Sequence, residues 1–210
     1  MQIDVFELPP IGTNAYLLTD HDRGEAVLID APLTAWETIA PRLDGDGLTL
    51  TAVLLTHGHF DHVLGAAEFN RQGVPVYAHA DDREMLAHLP QQMQMFGLPG
   101  QVEAPGVDHW IDVSQPLELL GRRIEVRHTP GHCPGNVTFY FADEGAAFVG
   151  DVIFAGGFGR TDLPGGSADL LRQTFVDQIY TLPDETVIYP GHGPLTTVGT
   201  EKKTNPLVRI

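Results

Sequence analysis

The stretch Leu50-Thr51-Ala52-Val53-Leu54-Leu55 runs straight into Thr56-His57-Gly58-His59-Phe60-Asp61-His62, so an apolar strand-like segment ends on four metal-ligating side chains. In extended backbone, side chains two residues apart point the same way, so His57 and His59 can grip one ion together. The turn into a following helix then aims Asp61 and His62 elsewhere, and one segment can serve two metals. Gly58 has no side chain to obstruct a close approach of the backbone to the site.

Working outward, three stretches at 3–8, 14–19 and 25–30 read as successive strands of an antiparallel meander, and 33–43 as an amphipathic helix ahead of the strand at 50–55. A helix is expected over 62–70, a strand at 74–78 and helical structure over 80–89. Residues 90–108 read as an irregular loop or lid. The second half repeats the grammar: strands at 123–128, 136–141 and 146–149, a glycine-rich loop at 156–166, a helix at 167–180 and a strand at 186–189. No linker separates the halves. The economical architecture is one α/β domain over residues 1–210: a four-layer αββα sandwich of two pseudo-equivalent halves, sheets inside and helices outside.

The formal net charge is −16, with two lysines, Lys202 and Lys203, and no clustered basic surface. That argues against nucleic acid and anionic membrane as partners. Two divalent cations would offset part of the acidity locally. The N-terminus, MQIDVFELPP, lacks the basic and apolar regions of a secretion signal, and no apolar run is long enough to span a bilayer. The single cysteine, Cys133, excludes an intrachain disulfide and reads as a small residue filling a tight turn. A cytoplasmic location is expected. Oligomeric state is not readable.

Three more donors sit beside glycine just after predicted strands: His132 in HTPGHCPG, Asp151 in FVGD and His192 in YPGHGP. Imidazole and carboxylate suit zinc, iron or manganese, and a carboxylate can bridge two cations where a neutral imidazole cannot, which singles out Asp151. A purely structural zinc site is usually closed with four ligands, often cysteines; this set is too large for one ion and contains no sulfur. Asp30, ending the third strand in LIDAP, is a candidate acceptor for a ligand imidazole. His21, His88 and His109 read as surface residues, and His79 and His128 as structural or supporting ones.

HxHxDH followed by His, Asp and His in these contexts resembles the metallo-β-lactamase superfamily over nearly the whole chain. With GDVIFAGGFGRTDLPGG and YPGHGPLTTVGTEKKTNP, the resemblance narrows to the glyoxalase II group, the hydroxyacylglutathione hydrolases. It implies His57, His59 and His132 on one metal, Asp61, His62 and His192 on the other, and Asp151 between them, with Asp61 and Asp151 as the carboxylates of the catalytic centre. The cofactors implied are two divalent ions, zinc foremost, with iron or manganese as alternatives. Such a pair, about 3.5–4 Å apart, activates a water as hydroxide and polarises the carbonyl under attack. The expected substrate is a small thioester such as S-lactoylglutathione, whose thiolate leaves without any Ser or Cys nucleophile.

Arg160 falls where the family sets a basic residue against glutathione, while Asp162 and Pro194 stand where it uses tyrosines. Only 18 residues follow His192, so the resemblance is to short forms without the helical C-terminal domain. GRTD and the run toward IYP also occur in iron-dependent persulfide dioxygenases of the same fold, which form the alternative. Lactonase, β-lactamase and non-catalytic metal-binding roles rank below both.

Overall fold

The computed structural model describes residues 1–98 and 102–209. The chain forms two compact units: residues 1–111 with 119–121, and residues 112–118 with 122–210.

The first unit is built on one mixed sheet in the order β1 (Gln2–Leu8), β2 (Thr13–Asp20), β3 (Glu25–Ile29), β4 (Thr49–Leu54), β5 (Val76–His79), β6 (His109–Ile111). The first three strands are the expected antiparallel meander. From β3 onward the pairing is parallel. Parallel neighbours need a crossover, supplied between β3 and β4 by α1 (Ala35–Asp46). Its buried Ala35, Ile39 and Leu43 recur every four residues, and Gly47 at φ 65° ends it. This helix starts two residues later than the periodicity implies, because Thr34 takes a left-handed conformation at φ 69°. Ile39, Leu43 and Phe69 pack with Leu28, Val53 and Val76 in one apolar core.

The expected helix at 62–70 is two short ones, α2 (Phe60–Val63) and α3 (Ala66–Arg71), separated at Gly65. At the break Gly65 donates its N–H outside the helix, to Ala31 O at 2.8 Å, and this close packing requires glycine, since a Cβ there would lie 2.4 Å from Pro32 O. Residues 80–89 give a 3₁₀ turn, Ala80–Asp82, and α4 (Arg83–Ala87). The irregular reading of 90–108 is wrong at its start, where α5 (Leu89–Met95) forms with Pro90 in its first turn, a position where proline's missing N–H costs nothing. Met93 of that helix is buried in the core. Residues 99–101 of the same stretch lie outside the described residues.

The second unit centres on a sheet in the order β14 (Thr196–Thr197), β13 (Val187–Pro190), β10 (Ala146–Gly150), β9 (Val137–Phe141), β8 (Arg122–His128), β7 (Leu117–Leu119). Because β13 is parallel to β10, and β9 antiparallel to both β10 and β8, strands β8, β10 and β13 share one direction and end on one edge. The glycine-rich segment is not all loop: β11 (Ile153–Phe154) and β12 (Gly157–Phe158) form a small hairpin. Helix α6 (Ala168–Thr174), capped by the Ser167 side chain, continues as a π-helical turn, Phe175–Ile179, and α7 (Val198–Thr204) is capped by Thr197. Leu171, Phe175 and Ile179 pack against Val149 and Ile188 in this unit's core. No helix among the described residues is long and apolar enough to cross a membrane.

Gly65→Ala should destabilise the protein by about 1–3 kcal/mol, since a methyl group must be forced against backbone that cannot rotate away. Urea denaturation measures it, and unchanged stability would mean the Ala31–Gly65 contact is not fixed.

Candidate metal centre

In the first unit the donors follow the C-terminal end of β4. Asp30 leaves its parallel neighbour β3 at the same edge and is left-handed at φ 60°, a conformation that aspartate tolerates better than most residues. Its carboxylate is buried and accepts from Thr56 N at 2.8 Å, Thr56 Oγ1 at 2.8 Å and His62 Nδ1 at 2.7 Å. The Thr56 hydroxyl has one proton, committed to Asp30, so at 3.0 Å it accepts from His57 Nδ1. Both imidazoles are thereby held with the Nε2 lone pair directed away from the Asp30–Thr56 pair, the form a metal requires.

His57, His59, Asp61 and His62 are all buried. The His57 ring centroid lies 4.8 Å from that of His59 and 4.1 Å from that of His62. Asp61 Oδ2 accepts from Thr13 Oγ1 at 2.8 Å and sits 3.3 Å from His62 Nε2. The backbone between the ligands is braced by Asp82, which accepts from Gly58 N at 2.8 Å. Gln92 completes the brace, donating to Gly58 O at 2.9 Å and accepting from Phe60 N at 3.0 Å. The need for glycine at 58 differs from the expected one: a Cβ there would meet Asp82 Cβ at 3.2 Å and Leu86 Cγ at 3.3 Å, so helix packing rather than approach to the site demands the small residue.

In the second unit His132, Asp151 and His192 follow the co-directed strands β8, β10 and β13, so all three emerge at one sheet edge. Gly191 N donates to Gly150 O at 2.8 Å and ties the ends of β13 and β10 together. His132 donates Nδ1–H to the Arg160 carbonyl at 2.7 Å, again leaving Nε2 as the lone-pair nitrogen. Its Nε2 lies 3.6 Å from Asp151 Oδ2, and His192 Nε2 lies 3.5 Å from the same oxygen. These separations exceed a hydrogen bond and match the edge of a tetrahedron of ligands about 2.0–2.1 Å from an ion, about 3.4 Å. The donor set therefore fits divalent transition metals. Two glycines permit this packing: a Cβ on Gly131, at φ 130°, would lie 2.5 Å from Leu171 Cα, and one on Gly159 would lie 1.9 Å from Asp151 O.

Arg160 splits its functions. Its carbonyl holds His132, whereas its exposed guanidinium pairs with Asp162 at 2.7 and 2.8 Å. The hydrogen bond from Arg160 lowers the Asp162 pKa to about 2, so the pair is formed above the ordinary carboxylate range and is lost only as pH falls toward that value. His21, His88 and His109 are exposed, His79 is the last residue of β5, and Cys133 is fully buried. Thr13, Thr56, Asp82, Gln92 and the Arg160 carbonyl are contributors that the sequence reading did not select; Thr56 alone carried a signal, as a hydroxyl directly before the first ligand.

A fold of two mixed α/β halves whose strand ends offer histidine and aspartate in metal-binding chemistry defines a metallo-hydrolase. The chain belongs to the metallo-beta-lactamase superfamily, whose family model matches residues 8–192, and it has that superfamily's fold. It is 36% identical to hydroxyacylglutathione hydrolase GloC of Haemophilus influenzae, covering 99% of this chain and 98% of that protein. Among solved structures it resembles BLEG-1, described as a B3 metallo-beta-lactamase (TM-score 0.87, 37% identity, 99% of both chains). It also resembles TTHA1623 in a di-iron-bound form (TM-score 0.86, 35% identity, 98% of this chain and 100% of that one). ETHE1 from Myxococcus xanthus follows at TM-score 0.81 and 27% identity over 98% of this chain and 84% of that one.

Asp30→Asn should weaken metal binding by about 10–100-fold, because an amide cannot accept from Thr56 and from His62 with the same charge and geometry. Chelator competition on the purified protein checks this, and wild-type affinity in the variant would remove Asp30 from the ligand support.

Proposed function

We propose that the protein is a glyoxalase II-like thioester hydrolase acting on S-lactoylglutathione or a related hydroxyacyl thioester in the cytoplasm, its two units working as one domain. His57, His59 and His132 are assigned to one metal and Asp61, His62 and His192 to the other, with Asp151 bridging. The observation that carries this reading is the approach of His132 and His192, assigned to different metals, to within 3.6 and 3.5 Å of the same Asp151 oxygen. The likeness to GloC over the full chain supports the thioester as substrate, and the di-iron TTHA1623 supports two ions, with zinc, iron or manganese all compatible with the donors.

When bound, the metal pair supplies an activated water and polarises the scissile carbonyl. The chain's own part is to hold the donors in the right proton state. Asp30 and Thr56 keep protons on the Nδ1 atoms of His62 and His57, and the Arg160 carbonyl does so for His132. Asp61 is oriented by the hydrogen bond it accepts from the Thr13 hydroxyl. Arg160 is the proposed contact for the thiol half of the substrate, and Asp162 competes for its guanidinium.

The second reading, an iron-dependent persulfide dioxygenase, is favoured by GRTD at 159–162 and fits the ETHE1 likeness. One preparation separates the two. Loss of thioester absorbance from S-lactoylglutathione is expected, without oxygen uptake on glutathione persulfide; oxygen consumption without thioester cleavage would reverse the assignment. Asp151→Ala should release one metal and most turnover, and retention of two metals at full rate would remove the bridge. Asp162→Asn, by freeing Arg160 from an exposed pair, should lower KM for S-lactoylglutathione about two- to fivefold with kcat unchanged. An unchanged KM would place Arg160 away from the thiol half.

A further inference from the structure

The segment after the last ligand, Thr196 to Asn205, carries two polar side chains that are almost fully buried: Glu201 at 1% exposure and Asn205 at 0%. A carboxylate taken from water persists only where its oxygens find donors, so the donors of Glu201 show what it is for. Oε1 accepts from Thr196 Oγ1 at 2.7 Å and Oε2 from Asn205 Nδ2 at 2.8 Å, while Gly156 N lies 3.2 and 3.1 Å from the two oxygens. Asn205 Nδ2 also donates to Gly157 O at 2.8 Å, so the two side chains grip the β11–β12 hairpin at its turn residue Gly156 and at the first residue of β12. Tyr180 braces the main chain beneath, its hydroxyl 3.1 Å from Glu201 O and 2.9 Å from Val208 O. Burial, and then the Glu201 charge, hold that phenol above its ordinary pKa, so it remains a donor.

What the hairpin connects gives this grip its meaning. It begins two residues after Asp151 and ends two residues before Arg160, whose carbonyl sets the His132 imidazole. Phe154 in its first strand packs edge-on against His192, with ring centroids 5.9 Å apart. Thr196, on the other side of the Glu201 carboxylate, lies four residues beyond His192. One buried carboxylate thus joins the backbone leaving Asp151 and leading to the His132 acceptor with the backbone leaving His192.

We propose that Glu201, with Asn205, is a positioning residue that buckles the β11–β12 hairpin to the strand after His192 and so sets the spacing of His132, Asp151 and His192 for metal binding. The inference rests on the proposed metal ligands but not on the proposed substrate. Its loss acts on the metal before it acts on any reaction.

The full-length protein and its variants are tested for zinc affinity by competition with a chromophoric chelator, for apo-protein melting temperature, and for kcat and KM on S-lactoylglutathione. Glu201→Gln places an amide N–H₂ among groups that are all donors and should lower zinc affinity by about tenfold or more, with kcat falling and KM held. Thr196→Val deletes one contact to the carboxylate and should lower it about three- to tenfold. Tyr180→Phe loosens the same segment while leaving the carboxylate, and should lower the melting temperature at unchanged zinc affinity. If Glu201→Gln does not fold, Thr196→Val against Tyr180→Phe decides. Wild-type zinc affinity in both carboxylate-directed variants, or an equal affinity loss in Tyr180→Phe, overturns the proposal. A wild-type protein that binds zinc but leaves the thioester intact defeats the substrate assignment alone, because the zinc affinities still judge the buckle. One that binds no metal defeats both.

Discussion

A neutral imidazole can bind a metal only through the nitrogen that lacks a proton, so a histidine-rich centre depends on where its other nitrogens donate. Here three such donations are fixed by buried acceptors: Asp30 for His62, Thr56 for His57, and the Arg160 carbonyl for His132. Asp30 is the hub of the first unit, because its carboxylate orients His62 directly and commits the Thr56 hydroxyl so that this group must accept from His57. The left-handed backbone of Asp30 belongs to the same arrangement. It turns the chain off β3 where the carboxylate meets Thr56 beyond the end of β4.

The two units reach this result by different means. In the first, four candidate ligands come from one short segment, and side chains from elsewhere, Thr13, Asp82 and Gln92, hold that segment's shape. In the second, three candidate ligands come from three separate strand ends, and close glycine backbone contacts act there beside the Glu201 and Asn205 side chains. Gly159 lies against the Asp151 carbonyl and Gly131 against Leu171, at distances no side chain would tolerate. Sheet direction makes the second scheme workable, since only co-directed strands deliver their C-terminal residues to a common edge.

The candidate ligands stood out in the sequence because metal chemistry restricts residue types and because a strand followed at once by HGHFDH is a local pattern. The meander and the α/β alternation were legible for the same local reason. What holds the ligands was mostly not legible: Thr13 meets Asp61 across 48 positions, Gln92 meets Phe60 across 32 and Arg160 meets His132 across 28, and no spacing rule connects such pairs. The missed helix at Leu89–Met95 has another cause. Its Gln and Met residues give a weak apolar period, and Pro90 reads as a breaker although it occupies a first-turn position. The continuous helix expected over 62–70 fails at Gly65, whose N–H is drawn to Ala31 O, a contact no local pattern announces.

Arg160 shows how such a centre can be kept while its substrate changes. The group it lends to the metal site is a backbone carbonyl, which every residue possesses, whereas its side chain points to solvent and to Asp162. Substitution of the side chain leaves the His132 acceptor in place, so the support of the centre and the charge presented to solvent are separable at a single position. The carboxylate of Asp162 then acts on the exposed guanidinium alone and leaves the His132 acceptor untouched. Proteins of one fold with the same donors can diverge in substrate at such positions without disturbing the donor set, which explains why the donors of this chain identify its superfamily more sharply than its substrate.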